Sequence, residues 1–148
     1  MSDDSSVLRI LFLCTGNSAR SQMAEALLRQ AAAEADVAIE VASAGTEPKG
    51  VNPLTVEVMS EAGIDVDGAE SKHLDRFLGE RWDYVVTVCD QAQESCPIFP
   101  GAGRTLHWSF PDPAAATGTV EERLATFRAV RDDIHEHIGR FLSQRDVS

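Results

Sequence analysis

A strand pattern that passes directly into a helix pattern constrains the fold of this chain most strongly. Residues 7–13 are apolar except for Arg9, as expected for a strand that is covered on both faces. Residues 19–33 then carry apolar side chains at helical spacing, after a short turn that contains Gly16. A buried strand followed at once by a helix is typical of a parallel α/β sheet.

The same alternation continues along the rest of the chain. Further strands are predicted at 37–42, 84–88 and 104–108. Asn52-Pro53 caps and opens a helix that runs to Ala62 and stops at Gly63. The final helix has one apolar stripe, formed by Val120, Leu124, Phe127, Val130, Ile134, Ile138 and Phe141. Residues 1–148 are therefore predicted to form a single domain, with residues 1–6 frayed.

Charge and length restrict the partners that such a domain would bind. The 148 residues include 24 acidic and 13 basic side chains, a net charge of −11, which argues against nucleic acid or an anionic membrane as a partner. No stretch approaches the roughly 20 apolar residues of a membrane span, and the first six residues are acidic and polar rather than basic and apolar. We expect a cytoplasmic protein, in which any positive potential for an anionic substrate is local.

The turn after the first strand has the composition of an oxyanion cradle. Cys14 ends the strand and Arg20 follows six positions later, at the start of the helix. Backbone amides in such a turn converge on one point, and the positive end of the helix adds to their field. Arg20 would grip two oxygens of a tetrahedral anion, and Cys14 would attack it as a thiolate. The predicted substrate-binding residues are Thr15, Gly16, Asn17, Ser18, Ala19, Arg20 and Ser21.

Two further cysteines and one aspartate are candidates for chemistry. Cys89 ends a strand as Cys14 does, and ends of neighbouring strands lie about 4.8 Å apart, within the separation that a disulfide tolerates. Cys96 follows a polar segment and would reach Cys89, so a relay of three thiols fits, although both residues also suit a small buried role. Asp112 stands between two prolines. It would act as a general acid or serve as an ordinary turn residue.

The segment Cys14-Thr15-Gly16-Asn17-Ser18-Ala19-Arg20-Ser21-Gln22-Met23-Ala24-Glu25 resembles the active-site segment of the low-molecular-weight protein tyrosine phosphatase superfamily. Within it, the chain looks most like the thioredoxin-coupled arsenate reductases. Further markers are Ser43-Ala44-Gly45, Cys96-Pro97, His107-Trp108 and Asp112-Pro113-Ala114, and the resemblance extends from Val7 to the last helix. It implies a flavodoxin-like three-layer α/β fold, with a four-stranded parallel sheet of order 2-1-3-4 and helices on both faces.

The resemblance also implies a reaction. Cys14 would attack arsenate, Cys89 would attack Cys14 and release arsenite, and Cys96 would move the disulfide to the Cys89 and Cys96 pair for reduction by thioredoxin. Asp112 would act as the general acid, Ser21 would donate to the Cys14 thiolate, and Asn17 would pin the loop. No cofactor is required.

Some relatives of this type hold a potassium ion with a loop Asn, a helix Glu, a Ser and an Asp. Asn17, Glu25 and Ser43 match the first three, whereas Lys72 stands where the aspartate would be. A lysine ammonium beside Glu25 would replace the cation, so no metal is predicted.

Two other functions remain open. A phosphatase acting on phosphotyrosine or small phosphoesters would use the same loop and acid, but it leaves Cys89 and Cys96 unexplained. Ala114, Ala115 and Ala116 stand where such phosphatases carry an aromatic residue, which counts against an aryl substrate. A thiol or oxyanion sensor without turnover is the third possibility.

Overall fold

A computed structural model describes residues 7–66, 68–89 and 102–147 of the chain. Strands and helices alternate through these ranges, as the sequence predicts. In chain order the elements are β1 (Leu8–Cys14), α1 (Arg20–Glu34), β2 (Ile39–Gly45), α2 (Pro53–Glu61), a 3-10 helix (Leu74–Phe77), β3 (Trp82–Thr87), β4 (Ala102–His107), a second 3-10 helix (Pro113–Ala115) and α3 (Val120–Val147).

The four strands form one parallel sheet in the order β2-β1-β3-β4, which confirms the predicted topology. In this register Cys14 lies beside Gly45 of β2, and Leu13 lies beside Thr87 of β3. The carboxyl ends of β1, β2 and β3 therefore lie at the same edge of the sheet. In open α/β sheets this edge is where ligands bind.

The two faces of the sheet are covered by different kinds of helix. Ile10 and Phe12 of β1 face the larger core, to which α1, α2 and α3 all contribute. Leu11 and Leu13 alternate with them and face the opposite side. There, within the described residues, the cover is the 3-10 helix Leu74–Phe77. The second outer layer is thus formed by a 3-10 helix rather than by a long α-helix.

The signals at the ends of the helices are confirmed with small shifts. The Asn52 side chain accepts a hydrogen bond from the backbone N–H of Leu54, with Pro53 in the first turn. The chain leaves α2 through Gly63, at φ +82°. In α3 the predicted stripe is buried from Leu124 to Ile138 and Phe141 is partly buried, but Val120 at the start of the helix is 59% exposed.

The second strand begins and ends later than the sequence indicates. Residues 37–42 are predicted for β2, whereas the strand runs over Ile39–Gly45. Pairing with β1 through Cys14↔Gly45 holds the extra residues Ser43, Ala44 and Gly45 in the sheet, although their small side chains carry no apolar alternation. Residues 1–6 lie outside the described residues, and no helix in the described ranges is long and apolar enough to cross a membrane.

Candidate active site

Cys14 is the last residue of β1 and a free thiol. Its side chain is almost completely buried, and its Sγ lies 2.9 Å from the Ser21 hydroxyl oxygen. The backbone N–H of Asn17 also donates to Sγ, at 3.3 Å. Both groups can donate a hydrogen bond to the sulfur, which holds Sγ in one position at the start of the loop.

Helix α1 begins at Arg20, directly after the loop that carries Cys14. Ala19 stands at the N-cap position, and no described side chain accepts a hydrogen bond there as a cap. The amide groups of the first turn are thus not occupied by a capping side chain, and the positive end of the helix dipole adds to them. This arrangement suits an anion bound at the loop.

A cavity of about 260 Å³ opens in front of this loop. We call it the front cavity; it is lined by Cys14, Thr15, Gly16, Ser18, Ala19, Arg20, Lys49, Asp112 and Ala114. It brings together three of the residues predicted to act in catalysis, Cys14, Arg20 and Asp112. Lys49 was not predicted, because its position in the sequence carries no motif.

Arg20 and Asp112 face each other across the front cavity. Arg20 is 4% exposed; its Nη1 donates to the backbone carbonyl of Phe110 at 3.3 Å, and its Nη2 lies 3.7 Å from Asp112 Oδ2. The other oxygen of Asp112 accepts the Ala114 N–H and so caps the 3-10 helix Pro113–Ala115. Asp112 is therefore a turn residue whose other carboxylate oxygen lies at the cavity, while its role as a general acid stays a prediction.

Behind the loop, hydrogen bonds join a set of side chains that we call the rear network: Asn17, Ser21, Gln22, Glu25 and Ser43. Its centre is Asn17, which is completely buried and has a left-handed backbone with φ 46°. The Asn17 Nδ2 donates to the hydroxyls of Ser21 at 2.8 Å and Ser43 at 2.9 Å. Its Oδ1 accepts from the backbone N–H of Lys72 and from Gln22 Nε2. All four hydrogen-bonding positions of the amide are thereby used.

The rear network orients two serine hydroxyls. The Ser21 oxygen accepts from Asn17, and its proton can be donated to Cys14 Sγ, which lies 2.9 Å away. Ser43 likewise accepts from Asn17 and donates to Glu25 Oε1 at 2.5 Å. A carboxylate on α1 is therefore connected through Ser43, Asn17 and Ser21 to the Cys14 thiol.

Backbone contacts from two other segments hold the loop in place. A Cβ atom at Gly45 would lie 2.4 Å from the carbonyl oxygen of Thr15, so only glycine fits there without a shift of the backbone. Ser71 donates to the carbonyl groups of Gly16 and Asn17. Ser71 was missed in the sequence, since a single serine in a loop gives no signal of a contact 54 or 55 residues away.

The surroundings of Glu25 do not fit a potassium ion. The Lys72 ammonium lies 3.8 Å from Glu25 Oε1 and donates to the Glu70 carbonyl, while Arg29 donates to Glu25 Oε2 at 2.6 Å. Two cationic side chains thus face the carboxylate that would bind the ion. Arg29 was not predicted. Across the described ranges, no group of three or more His, Cys, Asp or Glu side chains is arranged to hold a metal.

Cys89 lies two residues beyond the end of β3, the strand that neighbours β1. The backbone N–H of Val88 donates to the carbonyl of Leu13, which keeps the two strand ends paired up to this point. Cys89 is completely buried and is disulfide-bonded, in contrast to the free Cys14. Cys96 lies outside the described residues.

Comparison with known proteins places this geometry in a family. The family described as low molecular weight phosphotyrosine protein phosphatase matches residues 9–147. A protein named arsenate reductase from Halalkalibacterium halodurans is 46% identical over 132 residues, covering 89% of this chain and 93% of the relative.

Solved structures agree with this assignment. A structure described as an arsenate reductase in the phosphate binding state superposes with a TM-score of 0.76 at 28% identity, covering 93% of this chain and 98% of that one. A thioredoxin-dependent arsenate reductase from Corynebacterium glutamicum gives a TM-score of 0.56 at 29% identity, covering 91% and 63%. With Cys14, the Arg20 side chain and the intervening loop arranged around one cavity, this chain belongs to the low molecular weight phosphotyrosine protein phosphatase family.

Proposed function

We propose that this protein reduces arsenate to arsenite with Cys14, Cys89 and Cys96, and that thioredoxin reduces the final disulfide. The observation that carries the proposal is a pair of cysteines on neighbouring strands, Cys14 at the end of β1 and Cys89 two residues beyond β3: Cys14 is a free thiol at the front cavity, and Cys89 is disulfide-bonded. The similarity to proteins named arsenate reductase, one of them thioredoxin-dependent, supports it.

The first step takes place in the front cavity. The loop amides and Arg20 bind the oxygens of arsenate, and the Cys14 thiolate attacks arsenic. A sulfur–arsenic bond forms as one arsenic–oxygen bond breaks. Asp112, whose side chain lies 3.7 Å from Arg20, acts in its protonated form and supplies the proton with which the departing oxygen leaves.

Reduction occurs in the second step. The Cys89 thiolate attacks the sulfur of Cys14, and the electron pair of the sulfur–arsenic bond passes to arsenic. Arsenic(V) becomes arsenic(III) and leaves as arsenite, while the two sulfurs form a disulfide. Cys96 then attacks Cys89 and sets Cys14 free, and a dithiol of thioredoxin supplies two electrons to the Cys89 and Cys96 disulfide. Oxidised Cys89 beside free Cys14 is the state expected at that point.

Two cysteine variants test the relay. The protein is first reduced, and arsenite release is followed with thioredoxin, thioredoxin reductase and NADPH. Cys89→Ser should abolish catalytic release, because nothing attacks the Cys14 adduct, yet it should keep aryl phosphate hydrolysis. Cys96→Ser should release a single arsenite per enzyme and stop with Cys14 linked to Cys89, which peptide mass spectrometry detects. Turnover of arsenate at the wild-type rate by both variants would refute the relay.

Phosphate ester hydrolysis is the second candidate. The front cavity contains a nucleophile, an arginine and a carboxylate, and these suffice for a cysteinyl-phosphate reaction without another thiol. Ala114 at the rim offers no aromatic surface to an aryl group, which favours a small inorganic substrate instead. Aryl phosphate turnover without arsenite release would make phosphate ester hydrolysis the better supported function.

A further inference from the structure

The chain contains only two lysines among its 13 basic residues, and both contact the loop that carries Cys14. The backbone N–H of Lys72 donates to Asn17 Oδ1, and its ammonium is engaged with Glu70 and Glu25. Lys49 differs, because its side chain lines the front cavity. No described side chain or carbonyl forms an ion pair or hydrogen bond with the Lys49 ammonium.

The backbone places Lys49 beside the loop and holds it there. Its N–H donates to the carbonyl of Gly16 at 3.0 Å, and the N–H of Glu47 donates to the carbonyl of Thr15 at 2.8 Å. The Lys49 methylenes Cδ and Cγ lie 3.6 and 3.8 Å from where a Cβ atom of Gly16 would stand. The aliphatic stem therefore runs along the loop rather than away from it, as lysine stems do when they cover a surface and keep the ammonium in water.

The other cation of the front cavity is already engaged. Arg20 is buried, bonded to the Phe110 carbonyl and close to Asp112. An approaching dianion meets a molecule of net charge −11, so the field at long range repels it. An exposed ammonium that no group of the described residues binds, at the rim of the cavity, reverses that repulsion locally.

We propose that Lys49 is an additional substrate-binding residue, whose ammonium captures the incoming tetrahedral dianion at the rim and holds it as the loop amides and Arg20 bind its oxygens. The inference rests on the proposed function only in that both require an oxyanion in the front cavity. Lys49 acts on capture and affinity, and the later thiol steps do not involve it.

Binding of inorganic phosphate to the reduced protein tests this role without any turnover. At low ionic strength Lys49→Gln should bind phosphate about 3- to 10-fold more weakly, Lys49→Glu more weakly still, and Lys49→Arg within about twofold of wild type. The difference between Lys49→Gln and wild type should shrink as salt is added, because screening weakens an exposed interaction. In arsenate turnover the loss should appear in KM rather than in kcat.

Arg104→Gln is the matched control. It removes the same charge from an exposed position on β4 outside the front cavity, and it should change phosphate affinity by less than about twofold. Wild-type affinity in Lys49→Gln, or an equal loss in Arg104→Gln, would overturn the proposal. If the wild type reduces no arsenate and Lys49→Gln still loses phosphate affinity at an unchanged melting temperature, the proposed function fails and the role of Lys49 stands.

Discussion

The loop after β1 has two sides that differ in how their polar groups are satisfied. In the rear network every hydrogen-bonding position of Asn17 is used and the residue is fully buried. In the front cavity Lys49 is exposed, and the Asp112 side chain is 36% exposed and 3.7 Å from Arg20. The contrast indicates that the rear network fixes the shape of the loop, whereas the front cavity leaves the Lys49 and Asp112 side chains open to a ligand.

The largest effect expected on the front side comes from Cys14→Ser. A serine hydroxyl keeps its proton in the same place and is a poor nucleophile, so arsenite release and aryl phosphate hydrolysis should both fall by at least about 1,000-fold. The free energy of unfolding should change by less than about 1.5 kcal/mol, because a hydroxyl retains the contacts to Ser21 and Asn17. Activity assays measure the loss of turnover, and thermal melting measures the change in stability. Substantial remaining turnover would exclude Cys14 as the nucleophile.

Asn17→Asp tests the rear side with almost no change in volume. The amide donates to Ser21 and Ser43, and a carboxylate there offers no donor to either. Ser21 would then point its proton at the new carboxylate rather than at Cys14. We expect a loss of about 2–5 kcal/mol in the free energy of unfolding and about 10- to 100-fold in activity.

Ser21→Ala is the comparison for that variant. It removes the hydroxyl donor to the sulfur and leaves the contact between Asn17 and Ser43, so activity should fall with a smaller loss of stability, about 1 kcal/mol. Wild-type stability in Asn17→Asp would show that the rear network does not hold the loop.

Potassium should have only a small effect on the wild-type protein. Lys72 and Arg29 already face Glu25, so replacing potassium by sodium at equal ionic strength should change the reductase rate by less than about twofold. Lys72→Asp is the informative variant: it exchanges the ammonium for an oxygen ligand, and a potassium response should then appear in the melting temperature. Specific potassium stimulation of the wild type would contradict the role of Lys72.

The smallest effect is expected at an ion pair that belongs to neither side of the loop. Arg128 forms two hydrogen bonds with Glu61 between α3 and α2, and this bonding lowers the pKa of Glu61. Because the pKa is lowered, any stabilisation is present at neutral pH and is lost as the pH falls through the pKa of the folded state. Glu61→Gln should lower the melting temperature by no more than about 3 °C, less in high salt and not at all in acid. A larger shift would show that this surface ion pair contributes as much to the stability of the fold as the rear network does.

Sequence patterns and the family resemblance anticipated the fold and most of the residues on both sides of the loop. The strand order is as the resemblance implied, and the loop lies between β1 and α1 as local periodicity indicated. The geometry also brings Cys14, Arg20 and Asp112 to one cavity, while their chemical roles stay predictions. Arg29 and Lys49 were missed because neither belongs to a motif or a periodic pattern.

The sequence by itself determined what lies close along the chain: a strand, a turn and a helix in succession, with a thiol and a guanidinium six residues apart. Such neighbours are set by covalent connection and by the period of the backbone. Only the tertiary structure decided that Ser43, Lys72 and Lys49 meet the loop, across separations of 26 residues or more. Those contacts depend on the parallel register of β1 and β2 and on the path of the following segments, which no local pattern encodes.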